Sequence, residues 1–251
     1  MGAAYRRFRS GVRVSWSSSI AFATLGTALV TLIVLPLLDI AFAILMGSDV
    51  AAPDLARTGY AAALVAWSLS IASGIVAAIA ADRTLGIYLV VHQYRRIDVA
   101  YWLSRATMPT LLSLVTGATS IGAVALFSSD TAMLLRVCAL VPVVVIVGIA
   151  MGIGAAGIGV SLPDPYLGAT ILGSFVPVFS GVIVPVDLCP AWVRVIATVV
   201  PGSGLASSVA EFSAPGLLRD LACALVYAGI GIAFTQRAAR ALRSGRRFDT
   251  L

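Results

Sequence analysis

Long apolar runs alternate with short polar segments along the chain. Six of the runs are 18 residues or longer, and they cover residues 20–46, 58–81, 106–127, 132–160, 166–184 and 217–234. A helix needs about 20 consecutive, mostly apolar residues to cross a bilayer. The pattern therefore predicts an all-α, polytopic membrane protein in which residues 1–251 form one transmembrane domain with six spans.

Residues 172–212 interrupt this regular pattern, because they are apolar but repeatedly broken. They contain four prolines: Pro177, Pro185, Pro190 and Pro201. An interior proline removes a backbone hydrogen bond and clashes with the preceding turn, so one continuous helix is excluded. We expect a helix that begins near Tyr166 and breaks between residues 181 and 185, followed by short helices turning back at the outer surface. Residues 185–212 would then form an outer re-entrant cap; the alternative is a plain loop lying on the headgroups.

Residues 1–19 carry an amphipathic pattern instead. Their apolar side chains fall three, four and four residues apart, at Tyr5, Phe8, Val12 and Trp16, and arginines flank them. This spacing places the four side chains on one helical face. A basic amphipathic helix suits the cytoplasmic membrane surface, so we predict an interface helix before the first span.

Composition agrees with a membrane protein and excludes several kinds of site. Hydrophobic residues make up 60% of the chain, the mean hydropathy is +1.02, and 11% of the residues are charged. The chain has no lysine and a single histidine, His92. A phosphate-binding P-loop needs its lysine and a two-histidine zinc site needs two histidines, so the sequence encodes neither. We assign no catalytic residue, metal ligand or cofactor-binding residue.

The charged residues predict the orientation. All 17 basic residues are arginines, and most lie in residues 1–19, 82–105 and 235–251. Positive charge concentrates in the cytoplasmic segments of membrane proteins. We therefore expect a multi-pass protein of the cell membrane with both termini and the segment 82–105 in the cytoplasm. This asymmetry accounts for most of the net charge of +6, and no nucleic-acid partner is expected.

One motif in the broken segment resembles a family of transport proteins. Ser180-Gly181-Val182-Ile183-Val184-Pro185 is followed by Cys189-Pro190-Ala191-Trp192 and then by Pro201. This order resembles the closing segment of type-2 ABC transporter permeases, in which small outer helices lie between the fifth and sixth spans.

A second motif lies in residues 82–105. In that family an acidic–basic pair closes the second span, an amphipathic helix with a Leu-Leu-like end follows, and a basic segment leads into the third span. Asp82-Arg83, Gly86, Leu89-Val90 and Arg95-Arg96 stand at these places here. The sequence departs from the family at His92-Gln93-Tyr94, where a proline is common.

The same segment has a helical apolar face formed by Leu85, Tyr88, Leu89 and His92. Such a face, presented to a cytoplasmic groove, would transmit motion from a separate ATPase. Spacing and resemblance together give a set of coupling residues: Asp82, Arg83, Leu85, Leu89, His92, Arg95 and Arg96. The alternative is a helix that only lies on the membrane, with anionic lipid held by its arginines.

The resemblance implies the membrane-spanning subunit of an ABC exporter. The expected partners are two ATPase subunits, which bind ATP and Mg²⁺, a second permease subunit and membrane lipids. The chain would be a transport subunit rather than an enzyme, with its first and fifth spans facing each other across a dimer. A path lined by Ala, Val, Leu and Gly suits a drug-like, lipid-like or other amphipathic cargo.

Four residues are candidates for the path or its gate. Asp39 lies inside the first span, where a carboxylate costs on the order of 3 kcal/mol, so it should face the bundle interior or a cavity. It would contact cargo or a gate, or be a buried carboxylate satisfied by protein partners or by a proton. The other three candidates, in the outer cap, are Pro185, Pro190 and Trp192.

Two other functions compete with this interpretation. The coupling subunit of an energy-coupling-factor importer needs paired Ala-Arg-like motifs on long cytoplasmic helices, and the sequence has none. A membrane-embedded lipid-modifying enzyme needs carboxylates or histidines clustered at one interface. The acidic residues are instead dispersed along the chain: Asp39, Asp82, Asp98, Asp164 and Glu211 are examples.

The fourth span is rich in glycine, at Gly148, Gly152, Gly154, Gly157 and Gly159. Glycines at such intervals let two helix backbones approach closely. We therefore expect the fourth span to pack tightly against a neighbouring helix.

The predicted orientation is tested by cysteine labelling. In a chain lacking its native cysteines, single cysteines near Asp130 and Asp187 should react with a membrane-impermeant maleimide added to intact cells. Cysteines near Arg95 and Arg243 should react only after the membrane is opened. Labelling near Arg95 from outside would contradict the orientation.

Overall fold

The computed structural model describes residues 2–17, 24–94, 97–128 and 130–244, and within them the chain forms helices and turns without a strand. The predicted all-α class is thus confirmed for this part of the chain. The helices are α1 (Gly2–Ser17), α2 (Leu25–Leu29), α3 (Leu35–Asp49), α4 (Leu55–Thr84), α5 (Ile87–Tyr94), α6 (Val99–Phe127), α7 (Thr131–Gly159), α8 (Leu167–Phe179), α9 (Ala191–Ala197), α10 (Ser203–Ala210) and α11 (Ala214–Arg243). A π-helical turn, Val30–Val34, joins α2 to α3, and a 3-10 turn, Val186–Leu188, precedes α9.

Five helical stretches in the described residues are long and apolar enough to cross a membrane. They are Leu25–Asp49, Leu55–Thr84, Val99–Phe127, Thr131–Gly159 and Ala214–Arg243. The segment predicted as the fifth span, residues 166–184, forms only the 13-residue α8. At 1.5 Å per residue α8 is roughly 20 Å long, less than the roughly 30 Å of a bilayer core. The chain is therefore a multi-pass membrane protein, and its described part has five long apolar helices and the short apolar helix α8.

The segment 82–105 contains more helix than a loop would. It comprises the end of α4, the whole of α5 and the start of α6, so the connections are only a few residues long. The carboxylate of Asp98 accepts the N–H of Ala100 at 3.1 Å and starts α6 well before the predicted third span, 106–127. The long helices thus extend beyond the apolar runs by which the spans were predicted.

The amphipathic helix α1 packs against α6. A Cβ atom on Gly11 would overlap the side chain of Ser104, and the buried Ser15 accepts a hydrogen bond from Arg105 at 2.8 Å. Two residues of the predicted apolar face, Tyr5 and Trp16, are 64% and 57% exposed. This leaves them available to a membrane surface. Residues 18–23, which include the predicted start of the first span, lie outside the described residues.

Helix α4 is the centre of the bundle. It contacts α3, α5, α6, α7, α8 and α10, and its residues Tyr60, Leu64, Ile71 and Ile75 are fully buried. A helix surrounded in this way must be apolar around its whole circumference, and the run of residues 58–81 meets that requirement. The other helices take their positions from α4.

The glycines of α7 bring its backbone close to two neighbouring helices. A Cβ on Gly148 would lie 2.8 Å from the Ser68 carbonyl oxygen, and one on Gly152 would lie 3.0 Å from the Ala72 Cα, both on α4. A Cβ on Gly154 would lie 2.7 Å from the Tyr227 carbonyl oxygen of α11. The close packing predicted for the fourth span is confirmed, and it involves α4 on one side and α11 on the other.

We expect Gly152→Leu to destabilise the protein by about 1–3 kcal/mol, because the larger side chain would force α7 away from α4. Gly122→Leu is the matched control, since a Cβ on Gly122 meets no atom within 4 Å. Thermal unfolding of the purified protein in detergent measures both. Equal unfolding temperatures would show that the contact between α4 and α7 tolerates the added volume.

Candidate functional site

A lateral cleft of about 610 Å³ opens between α3 and α8, with α4 and α6 behind it. Its walls are mainly apolar. The polar side chains that line it are Thr31, Asp39, Ser70, Ser73, Thr116 and Ser120. Few residues of the two bounding helices are buried, so both present much of their surface away from the protein. The cleft has the size and the mixed lining typical of a small-molecule site.

Asp39 lies on α3 and lines the cleft, which agrees with the expectation that it faces a cavity. Its side chain is exposed and makes no hydrogen bond or ion pair within the described chain. A carboxylate satisfied by protein partners does not match this environment, whereas a contact with cargo or a gate and a carboxylate satisfied by a proton both stay predictions. A carboxylate retained inside a span without a partner is a candidate binding group.

The helix that carries Asp39 is deformed just before it. Pro36 has no N–H, so the carbonyl of Leu32 receives no helical hydrogen bond from it. In the preceding turn the N–H of Leu35 donates to the carbonyl of Val30, five residues back. The π-helical turn Val30–Val34 results. Such turns inside α-helices are frequent at functional sites because they redirect the side chains around them.

The opposite wall ends in residues 180–212, which we call the outer segment. Gly181 has a φ of +72°, a conformation that favours glycine and ends α8. Arg57, on the first turn of α4, is buried and donates hydrogen bonds to the carbonyls of Gly181 at 2.8 Å and Val182 at 3.0 Å. The predicted break between residues 181 and 185 is present, and a single arginine satisfies the carbonyls that it exposes.

A second buried charge attaches the outer segment to α11. Asp220 is fully buried, and its carboxylate accepts the backbone N–H groups of Gly202 at 3.0 Å and Leu205 at 2.9 Å. These N–H groups lie at the start of α10, where the helix itself offers no acceptor. Sequence reasoning missed Arg57 and Asp220. Asp220 was detectable, because it is a carboxylate inside the predicted span 217–234.

The predicted gate residues lie at the turns of this outer segment. Pro185 directly precedes the 3-10 turn, and Pro190 directly precedes α9. Trp192 is 62% exposed and contacts Phe179 edge-on, with ring centroids 6.4 Å apart. Most of the Trp192 side chain is therefore exposed in the single chain.

At the other end of α4, Asp82 is the centre of a buried network. Its carboxylate accepts two hydrogen bonds from Arg105, at 2.6 and 2.8 Å, and one from the hydroxyl of Tyr101 at 2.7 Å. Arg105 also donates to Ser15 of α1. The network joins α1, α4 and α6. It lies at the same end of the bundle as α5, and we call this end the arginine-rich end. Asp82 is therefore an internal tie rather than a surface contact.

Arg83 has a separate role at the same end. Its guanidinium donates to the carbonyls of Gly159 at 3.1 Å and Leu162 at 2.5 Å. These carbonyls lie where α7 stops before Pro163, and a cation suits the negative end of a helix. The predicted acidic–basic pair thus consists of two residues that bind different parts of the bundle.

Some residues of the predicted coupling face at α5 are buried and others are exposed. Tyr88 and His92 are fully buried and stacked, with ring centroids 4.0 Å apart, and the His92 Nδ1 donates to the Tyr88 carbonyl at 3.0 Å. Burial lowers the pKa of His92, which favours the neutral imidazole. Leu85 is 72% exposed and Leu89 is partly exposed.

His92 and Asp82 are thus not surface contacts in this conformation, because both are buried. Two exposed residues of α5, Val90 and Tyr94, were absent from the predicted set, and their exposure depends on how α5 lies against α4 and α11. The predicted coupling residues Arg95 and Arg96 lie outside the described residues.

Within the described ranges, no three His, Cys, Asp or Glu side chains come together as a metal site would require. Comparison of the chain with protein-family models, with curated proteins and with solved structures finds no match.

Removing one partner of a buried ion pair leaves the other charge unpaired. We therefore expect Asp82→Ala to destabilise the protein by about 3–5 kcal/mol. Asp187→Ala is the control: Asp187 is exposed in the outer segment, and its removal should change the stability by about 0.5 kcal/mol or less. Thermal unfolding in detergent compares the stabilities of the two variants. Equally small losses of stability would contradict the role of the Asp82–Arg105 pair in joining α4 to α6.

Proposed function

We propose that the chain is the membrane-spanning subunit of an ATP-driven exporter of the type-2 ABC permease kind. It acts with two separate ATPase subunits, which bind ATP and Mg²⁺, and with a second permease subunit in the cell membrane. The permease provides the path, and hydrolysis takes place on the partner. In this arrangement the arginine-rich end and both termini face the cytoplasm, and the outer segment faces outward.

The observation that carries the proposal is the cleft between α3 and α8. Both helices that bound it carry exposed apolar side chains, among them Phe42, Leu45, Phe175 and Val178, which are 53–68% exposed. A second permease subunit placed against these helices would cover the apolar surface and close the cleft into a path. The first and fifth membrane segments would then meet across the dimer, as the resemblance implies.

The outer segment supports the same function. Its short helices turn back over the end of α8, and Arg57 and Asp220 hold it at two places. Irregular backbone at membrane depth is stable only when the protein supplies its hydrogen-bond partners, and these two side chains do so. We propose that the segment closes the outer end of the path, with Pro185, Pro190 and Trp192 as its gate.

Helix α5 is the proposed contact with the ATPase. Its buried residues pack against α4 and α11, and three exposed apolar side chains lie at the arginine-rich end, those of Val90 and Tyr94 on α5 and that of Leu85 just before it. A displacement of α5 would pass directly to the two helices that it touches. Because the network around Asp82 ties α4 to α1 and α6, the displacement would move these helices as a unit.

The experiment is purification of the tagged chain from its native membranes. We expect an ATPase subunit to co-purify, the complex to hydrolyse ATP, and reconstituted vesicles to transport cargo with that ATP. Leu85→Asp and Tyr94→Asp should release the ATPase, because each places a charge on the proposed apolar contact.

Leu188→Asp is the matched control, since Leu188 is 68% exposed in the outer segment. That variant should keep the ATPase bound. A purified chain that carries no ATP hydrolysis would contradict the proposed function, and equal retention of the ATPase by all three variants would contradict the contact at α5.

A further inference from the structure

The cleft has one charged group among the side chains that line it, the carboxylate of Asp39. No arginine lines the cleft, and none of the described residues offers Asp39 a hydrogen bond or an ion pair. In the low dielectric of a membrane an unpaired carboxylate is costly, and a positive charge brought next to it is strongly attracted. The described residues thus supply no cation for Asp39, and a cationic ligand in the cleft would fill that place.

The other residues that line the cleft indicate what kind of molecule would carry this positive charge. Phe42 and Leu69 offer apolar surface, the buried Trp67 and Leu172 close the wall behind them, and hydroxyl groups such as that of Ser73 supply a few polar contacts. A small inorganic cation would lose its water here and find only one charged ligand, which is too few for a stable site. An organic cation with bulky apolar groups uses both the carboxylate and the walls.

The indole of Trp67 indicates that this wall is firm. A Cβ atom on Gly117 would overlap the Trp67 ring, so α6 lies directly against it, and Trp67 is 4% exposed. The α3 side of the cleft is shaped by the π-helical turn and Pro36. The carboxylate thus lies on a deformed helix, in a cleft whose back wall is firm and apolar.

We propose that this cleft binds lipophilic organic cations, with the carboxylate of Asp39 as the counter-ion. The proposal rests on the proposed function in one respect: it names the class of cargo that the exporter carries. The binding step itself needs neither ATP nor the ATPase.

The test is equilibrium binding of radiolabelled tetraphenylphosphonium to the full chain in nanodiscs of zwitterionic lipid, with empty nanodiscs as the background. We expect saturable binding to the unmodified chain. Asp39→Asn should weaken binding by about tenfold to a hundredfold, because it removes the charge and keeps the shape. Asp39→Glu should retain most of the affinity, and Asp49→Asn, on the same helix outside the cleft, should bind as the unmodified chain does.

A second measurement decides the question without any variant. Triphenylphosphine oxide, a neutral relative, should displace tetraphenylphosphonium only at concentrations about tenfold higher or more. Absence of saturable binding, equal affinity of the oxide, or unchanged binding to Asp39→Asn would each overturn the proposal. These results can be told apart from a failure of the proposed function. If an active ATPase co-purifies but the chain shows no preference for cations, only this inference is overturned. If the chain binds the cation but no ATPase co-purifies, only the proposed exporter function is overturned.

Discussion

Arg57 donates hydrogen bonds to the carbonyls of Gly181, Val182 and Ala206, and the course of the outer segment depends on these bonds. Inside a bilayer no water replaces a missing partner, so each open helix end must be satisfied by the chain itself. Asp220 does this for the start of α10, and at the arginine-rich end Arg83 donates to the carbonyls that follow α7. In each place a glycine or proline stops or starts a helix, and one charged side chain accommodates the exposed backbone groups. At these irregular parts of the fold, side chains thus supply hydrogen bonds that the helix ends cannot make within themselves.

The packing of the helices divides the bundle into a tightly packed centre and a loosely packed side. Helices α4, α7 and α11 lie close together because glycines remove the side chains between them, and such packing responds to force as one body. Helices α3 and α8 bury few residues, and a segment with few buried contacts opens at a low free-energy cost. The cleft lies on the boundary between the two parts. A transport path requires that one wall move against another. Here α3 and α8 would move against α4 and α6, and this links the packing to the proposed function.

Asp39 and Asp82 show how the surroundings decide what a carboxylate does. Asp82 is buried with Arg105, Tyr101 and their hydrogen bonds, so its charge is used within the fold to join helices. Asp39 has no such partner among the described residues and lines a cleft that a ligand can enter. A paired carboxylate is satisfied within the fold, whereas an unpaired carboxylate inside a span is available for binding. The distinction depends on the neighbours of each residue, which are supplied by other helices.

The sequence alone determined the helical class, the positions of five long membrane helices, the break after α8 and the close approach of α7 to its neighbours. Each of these follows from local properties: the length of apolar runs, the missing N–H of proline and the missing side chain of glycine. Only the tertiary structure decided that residues 166–184 form a short helix, that His92 and Asp82 are buried, and that Arg57 and Asp220 hold the outer segment. These features depend on partners 15 to 149 residues apart in the chain, and no periodicity relates such partners. Local patterns specify the helices, but the pairing of charges depends on which helix ends meet in space.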